Sequence, residues 1–124
     1  MAATKLDGAG TAKMQMLDES LGYLQKLHGI VEQWALASKK NQNTAMYGMQ
    51  LRRTATPLVG MLKPMYGLLA DQVSGMILIA TRGGNDAARV RSLRESVGLL
   101  RQAIEIQQNK VKEAHSVDIE LSDE

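Results

Sequence analysis

Three long runs of this chain repeat their apolar residues every three or four positions, and that spacing limits the fold more than any other feature. Leu17, Leu21, Leu24, Leu27, Val31 and Trp34 form the first run. Leu58, Leu62, Met65, Leu69, Val73 and Met76 form the second, and Val90, Leu93, Val97, Leu100, Ile104 and Val111 the third. Residues three and four apart share one face of an α-helix, whereas a half-buried strand alternates with a period of two. The third run steps 3, 4, 3, 4 and 7, close to a coiled-coil heptad, with Gln107 or Gln108 in the missing position.

Composition supports the helical reading. Aromatic residues make up only 3% and Phe is absent, while there are eight Met, so the core must be built from aliphatic and thioether side chains. Such residues interdigitate well between helices and fill a β-sandwich poorly. At 124 residues, 44% of them hydrophobic, the chain is expected to form one domain without a deep substrate cleft.

Punctuation in the sequence sets the expected boundaries. Residues 1–10 are small and polar and read as a flexible lead. The first helix is predicted over about 11–39, ended by Lys39-Lys40-Asn41-Gln42, where Asn41 suits a left-handed cap. A second is predicted over about 44–81. It carries Val59, Met61, Leu68, Ile77, Leu78 and Ile79 around the rest of its surface, so it must be central or lie in an oligomer interface. A break or kink is expected at Thr56-Pro57, and Pro64 frees the carbonyl of Gly60 and permits a further bend. Arg82-Gly83-Gly84-Asn85 ends that helix, and Asn85 or Asp86 caps a third over about 86–115. The remaining 116–124 reads as a flexible acidic tail. The expectation is an all-α, elongated, antiparallel three-helix bundle of residues 11–115 with a kinked, very hydrophobic second helix.

Seven glycines fall inside the predicted helices: Gly22, Gly29, Gly48, Gly60, Gly67, Gly75 and Gly98. Each costs ~1 kcal/mol relative to alanine, so ~7 kcal/mol of helix preference must be offset elsewhere. Gly22 and Gly29, like Gly60 and Gly67, are seven apart and share a face. Such notches would let two backbones nest, either helix one on helix two or this chain on a partner.

Arginines gather around the start of the third helix, at Arg82, Arg89, Arg91, Arg94 and Arg101. Cations there oppose the helix dipole, so helix stability alone does not call for them. They suit an anionic partner, although Glu95 and Glu105 can also make this an ordinary solvated face. Lys39, Lys40, Arg52 and Arg53 are expected toward the opposite part of the rod, leaving the basic surface discontinuous. A net charge of only +2 does not by itself indicate nucleic-acid binding. Of the methionines, most are expected to fill the core, while Met61 and Met65 beside Gly60 and Gly67 could offer an adaptable contact surface. In the tail, Val117, Ile119 and Leu121 alternate before Asp123 and Glu124. That pattern resembles the short motifs that bind ubiquitin-like modifiers by strand addition, though an unstructured acidic end is the preferred reading.

Signs of chemistry are missing from the sequence. The two histidines, His28 and His115, are far apart and have no carboxylate at ligand spacing; there is no cysteine. No phosphate loop or nucleophile elbow occurs. Thr54 to Thr81 contains only Lys63 and Asp71 as charges, but these and the prolines divide it into pieces shorter than the ~20 apolar residues of a span. The sequence therefore predicts an intracellular, non-catalytic module for protein interaction or assembly, without cofactor or metal. It would bind an amphipathic or acidic helical segment, or itself, through Gly60, Gly67, Met61, Met65, Arg89, Arg91, Arg94 and Arg101. The alternative is a helical nucleic-acid-binding protein using the arginines.

Overall fold

The computed structural model describes residues 4–118. The described chain runs β1 (Thr4–Leu6), α1 (Gly8–Lys39), α2 (Tyr47–Leu62), α3 (Gly67–Thr81), α4 (Asp86–His115) and β2 (Ser116–Asp118). It is all-α in its body, but there are four helices among the described residues and not three. The expected second helix is two helices, and the break falls at Pro64, not at Pro57.

The physical reason lies in packing and not in the freed carbonyls, since those of Arg53 and Gly60 both belong to exposed residues. A reversal at Pro64, by contrast, folds the apolar face of α3 back onto α2 and the core. Pro57 sits inside α2 on the exposed side, and the Thr56 hydroxyl donates to the Arg52 carbonyl at 2.7 Å beside it. There the helix continues. At Pro64 it closes instead. The amides of Met65 and Tyr66 both donate to the Leu62 carbonyl, at 3.2 and 2.7 Å, and Tyr66 leaves the helical region at φ −129°, ψ 64°. The chain then reverses. The start of α2 lies against the end of α3, where Gly48 approaches the Ala80 carbonyl so closely that an added Cβ would sit 2.5 Å from that oxygen.

This reversal makes an up-down-up-down bundle. α1 lies against α4 and α2, and α3 lies against α2 and α4. Helices α1 and α4, of 32 and 30 residues, form a long antiparallel pair, and the shorter α2–α3 hairpin of 16 and 15 residues covers one side of it. The core follows the three periodic stripes. Leu17, Leu24, Leu27, Val31 and Trp34 meet Leu51, Ala55, Leu58 and Leu62, then Val73 and Met76, then Leu93, Val97, Leu100 and Ile104. Of the second stripe only Met65 is exposed, because it lies in the reversal.

Helix ends are secured locally. Asp7 caps α1, its Oδ1 accepting from the Gly10 amide at 2.6 Å. At the other end Asn41 takes the expected left-handed conformation (φ 56°), with Asn41 N–H on the Ser38 carbonyl and Gln42 N–H on the Ala37 carbonyl. These paired bonds satisfy carbonyls that the helix leaves open. Asn85 caps α4, its Oδ1 accepting from the Ala88 amide at 2.7 Å. Before α1 and after α4, Thr4–Leu6 pairs antiparallel with Ser116–Asp118, Lys5 opposite Val117. Residues 119–124, where most of the proposed tail motif falls, lie outside the described residues.

The expectation that the spaced glycines let one helix of this chain nest on another is corrected. A Cβ built on Gly22, Gly29, Gly60, Gly67, Gly75 or Gly98 would meet nothing within 4 Å. No backbone nests against the Gly22–Gly29 or Gly60–Gly67 faces; all four residues are exposed. Close approach occurs at Gly48, against Ala80, and at Gly10, against the Cβ of His115. Equal spacing put the glycines on common faces, but those faces look outward. Nothing in the structure explains why they are glycine.

Candidate functional site

The four-helix topology changes what lies beside the arginines. In a three-helix bundle the start of the last helix stands at the far end from Lys39. The extra reversal at Pro64 returns the chain, so α4 begins beside the end of α1. Lys39 consequently shares a groove with Arg91 and Arg94, which corrects the expectation that they stand apart. The groove, of roughly 530 Å³, is formed by Ala35, Ser38 and Lys39 of α1 and by Ala87, Val90, Arg91, Arg94 and Glu95 of α4. A second depression along the same seam, lined by Glu32, Ala35, Leu36, Lys39 and Arg94, continues it. Small side chains at Ala35 and Ala87 leave the space between the helices unfilled. Val90 gives an apolar floor, and Leu36 adds an aliphatic edge that is 53% exposed.

Lys39, Arg91 and Arg94 line the rim, opposed by Glu95 and by Glu32. Arg94 is held by Glu32 in a two-pronged ion pair, with Nε and a terminal nitrogen each 2.8 Å from a carboxylate oxygen. These hydrogen bonds hold the Glu32 carboxyl below its ordinary value, against a small opposing effect of burial, and the charges of Arg94 and His28 add to the depression. The same bonds raise Arg94. Both side chains are about half exposed, 51% and 41%, and a solvated pair of this kind contributes only ~0–1 kcal/mol. The guanidinium can therefore exchange Glu32 for another carboxylate at little cost. Arg91 is exposed.

Arg89 has a different fate. It turns inward against the end of α3, one terminal nitrogen donating to the Arg82 carbonyl at 3.0 Å and the other to Asp86 at 3.0 Å. Its guanidinium lies 4.9 Å from the Trp34 ring centre. Among the described residues its buried Nε has no hydrogen-bond partner. Asp86 gathers this end of the bundle, accepting from the Trp34 indole at 3.0 Å and from the Thr44 hydroxyl at 2.8 Å. The indole, then the hydroxyl, hold its carboxyl below the usual range, with Arg89 assisting and partial burial opposing. Arg89 is thus a clasp of the fold.

The remaining sequence-derived site residues fall elsewhere. Gly60 and Gly67 flank the α2–α3 reversal in open space, and Met61 is partly buried against the core. Met65, 49% exposed, lines a small depression with Tyr66, Lys110 and His115 at the opposite end of the bundle. Arg101 is exposed on α4, ten residues on from Arg91. The structure therefore brings together Arg91 and Arg94 and joins neither to the glycine and methionine group. Ala35, Ala87 and Val90 were missed as site residues, and Lys39 was named only as part of a separate basic patch, because nothing in the sequence says which positions of α1 face which positions of α4.

Among the described residues no group of three or more His, Asp or Glu could hold a metal ion, and no helix is long and apolar enough to cross a membrane. No protein-family model matches the chain, and no curated protein or solved structure shows significant similarity to it.

Proposed function

We propose that the protein is a non-catalytic helical interaction module, acting inside the cell, that captures an acidic, partly apolar segment of another polypeptide in the α1–α4 groove. One observation carries the reading: a trough with an Ala–Val floor and a rim of Lys39, Arg91 and Arg94 at the end of a helix pair. The floor supplies apolar contact for one face of a bound segment, and the rim offers charge-assisted hydrogen bonds to its carboxylates. Arg94 is pre-oriented by Glu32 and weakly retained there, so an incoming carboxylate replaces one acceptor with another. Arg91 is the rim cation with most to contribute, being exposed and on the α4 side of the floor. The groove is open and the cations sit at its edges, which fits a length of chain better than an enclosed small molecule.

The nucleic-acid alternative draws less support. Arg89 is directed at Asp86 and backbone carbonyls, and Arg94 at Glu32, so two of the five arginines are already engaged. None of the groove-lining side chains is aromatic, which removes base stacking.

A fluorescent peptide alternating Glu or Asp with Leu or Ile, titrated with the protein at low salt, tests the proposal. Binding should weaken at least tenfold in Arg91→Glu and fall with added salt, while Arg101→Glu changes it less. Equal binding by the parent protein and Arg91→Glu would defeat the groove assignment. A generic oligonucleotide binding more tightly than the peptide would favour the alternative.

A further inference from the structure

Resting on that reading, we infer that the groove of one copy takes the acidic C-terminal segment of a second copy, so that the protein self-associates. Residues 116–124 read Ser-Val-Asp-Ile-Glu-Leu-Ser-Asp-Glu and contain no Lys or Arg. Asp118, Glu120, Asp123 and Glu124 supply four of the chain's 13 acidic residues, and Ile119 and Leu121 alternate with acids. Apolar side chains two apart and carboxylates between them match an Ala–Val floor bordered by Lys39, Arg91 and Arg94.

Geometry decides between a contact within one molecule and a contact between two. The groove lies at the α1 C-terminus and the α4 N-terminus. Of the acidic segment, Ser116–Asp118 form β2 against Thr4–Leu6 at the other end, where His115 meets Asp7 and Gly10, so residues 119–124 are the part that would enter a groove. Between Arg91 and His115, α4 runs 24 residues, about 36 Å at ~1.5 Å per residue. Residues 119–124, fully extended, reach at most about 21 Å at ~3.5 Å per residue. The segment cannot fold back into its own groove and must enter a neighbour's. Groove and segment are different surfaces at opposite ends, so two copies lying antiparallel fill each other's groove in a closed pair, while copies joined end to end leave one of each free for further addition. The expected products are pairs and short chains of copies.

Sedimentation velocity on the whole chain at low salt tests this, with Arg91→Glu as the groove variant and Asp118→Asn, Glu120→Gln, Asp123→Asn, Glu124→Gln together as the tail variant. The parent should show a concentration-dependent series of species that added salt dissolves. Each variant alone should stay monomeric while keeping the parent's helical circular dichroism. Mixed, they should form only a one-to-one pair, because one intact groove meets one intact tail, and a peptide of residues 116–124 should dissociate the parent's assemblies. A monomeric parent at high concentration and low salt overturns the inference, as does association that persists in the tail variant. If the generic acidic peptide binds the groove while the 116–124 peptide does not, this inference fails and the proposed function stands.

Discussion

The two ends of the bundle are closed in opposite ways. At one end, Asp86 joins the Trp34 indole of α1, the Thr44 hydroxyl of the loop before α2 and the Arg89 guanidinium of α4, while Arg89 also reaches backbone carbonyls of the α3 terminus. Tyr47, the first residue of α2, stacks on Trp34 with ring centres 6.1 Å apart. At the other, Asp7 receives a hydrogen bond from the Gly10 amide and lies 3.2 Å from His115, and Lys13 lies 3.1 Å from the same imidazole. The first end ties four segments around an almost fully buried Trp34; the second ties the chain's two extremities at a half-exposed carboxylate. Hydrogen bonds count for more where losing a partner strands a group away from water. The clasp around Trp34 should therefore govern global stability, and the Asp7–His115 contact should govern local fraying.

Replacing Trp34 with Ala is the strongest challenge to this contrast. It removes the largest fully buried side chain and leaves Arg89 and Asp86 without their aromatic partner. A loss of about 3–5 kcal/mol in chemical denaturation is expected. A loss below about 1 kcal/mol would show that the clasp does not hold the bundle.

Asp86→Ala comes next, with an expected loss of about 1–3 kcal/mol from the stranded indole and guanidinium donors. The acid limb sharpens the comparison. Because the folded-state carboxyl titrates below its ordinary value of 3.8, its contribution is present above that pH and disappears as pH falls through the lowered folded value. Thermal melts between pH 5 and about 2 should show a shallower loss for Asp86→Asn than for the parent. Asp7 is also depressed, chiefly by the Gly10 amide, but its side chain is more exposed than that of Asp86, so Asp7→Asn should alter that slope less. If Asp7→Asn flattens the limb more, the assigned hierarchy of the two ends is reversed.

A third pair compares the close glycines. In Gly48→Ala the new methyl meets the Ala80 carbonyl, backbone that cannot yield without moving α3, and about 1–3 kcal/mol should be lost. In Gly10→Ala it meets the His115 side chain at the last residue of α4, which can fray, so the loss should be smaller and confined to exchange of amides near the chain ends. The smallest effect has the opposite sign. Gly22→Ala, Gly29→Ala and Gly98→Ala enter open space in mid-helix and should each stabilise by about 0.5–1 kcal/mol. Destabilisation at any of them would mean that something covers that face in solution.

Much of the fold was legible because burial repeats with the helix. Every residue of the 90–111 stripe is buried, and in the first stripe only Leu21 falls short of full burial. Asn41 and Asn85 occupy the caps their chemistry suggests. The helix count was not legible. Apolar spacing continues through Pro64 nearly in phase, so the stripe from Leu58 to Met76 reads as one helix although the chain reverses within it. The freed carbonyls of Arg53 and Gly60 both belong to exposed residues. Which of the two prolines breaks the helix therefore depends on the packing gained when the chain turns back, and spacing does not record that packing. For the same reason the candidate groove was only half visible. Charge clustering pointed to Arg91 and Arg94, yet Arg89, in the same cluster, serves the Trp34 clasp.

The sequence by itself determined that this protein is helical, which residues line its core, and where most of its helices stop, because these follow from local spacing and capping. Tertiary structure alone decided that the second apolar stretch doubles back and that Lys39 comes to stand beside Arg91 across an Ala–Val groove. It also decided that the spaced glycines face solvent. Each of these depends on which helix faces lie side by side, a relation between distant segments that local periodicity does not contain.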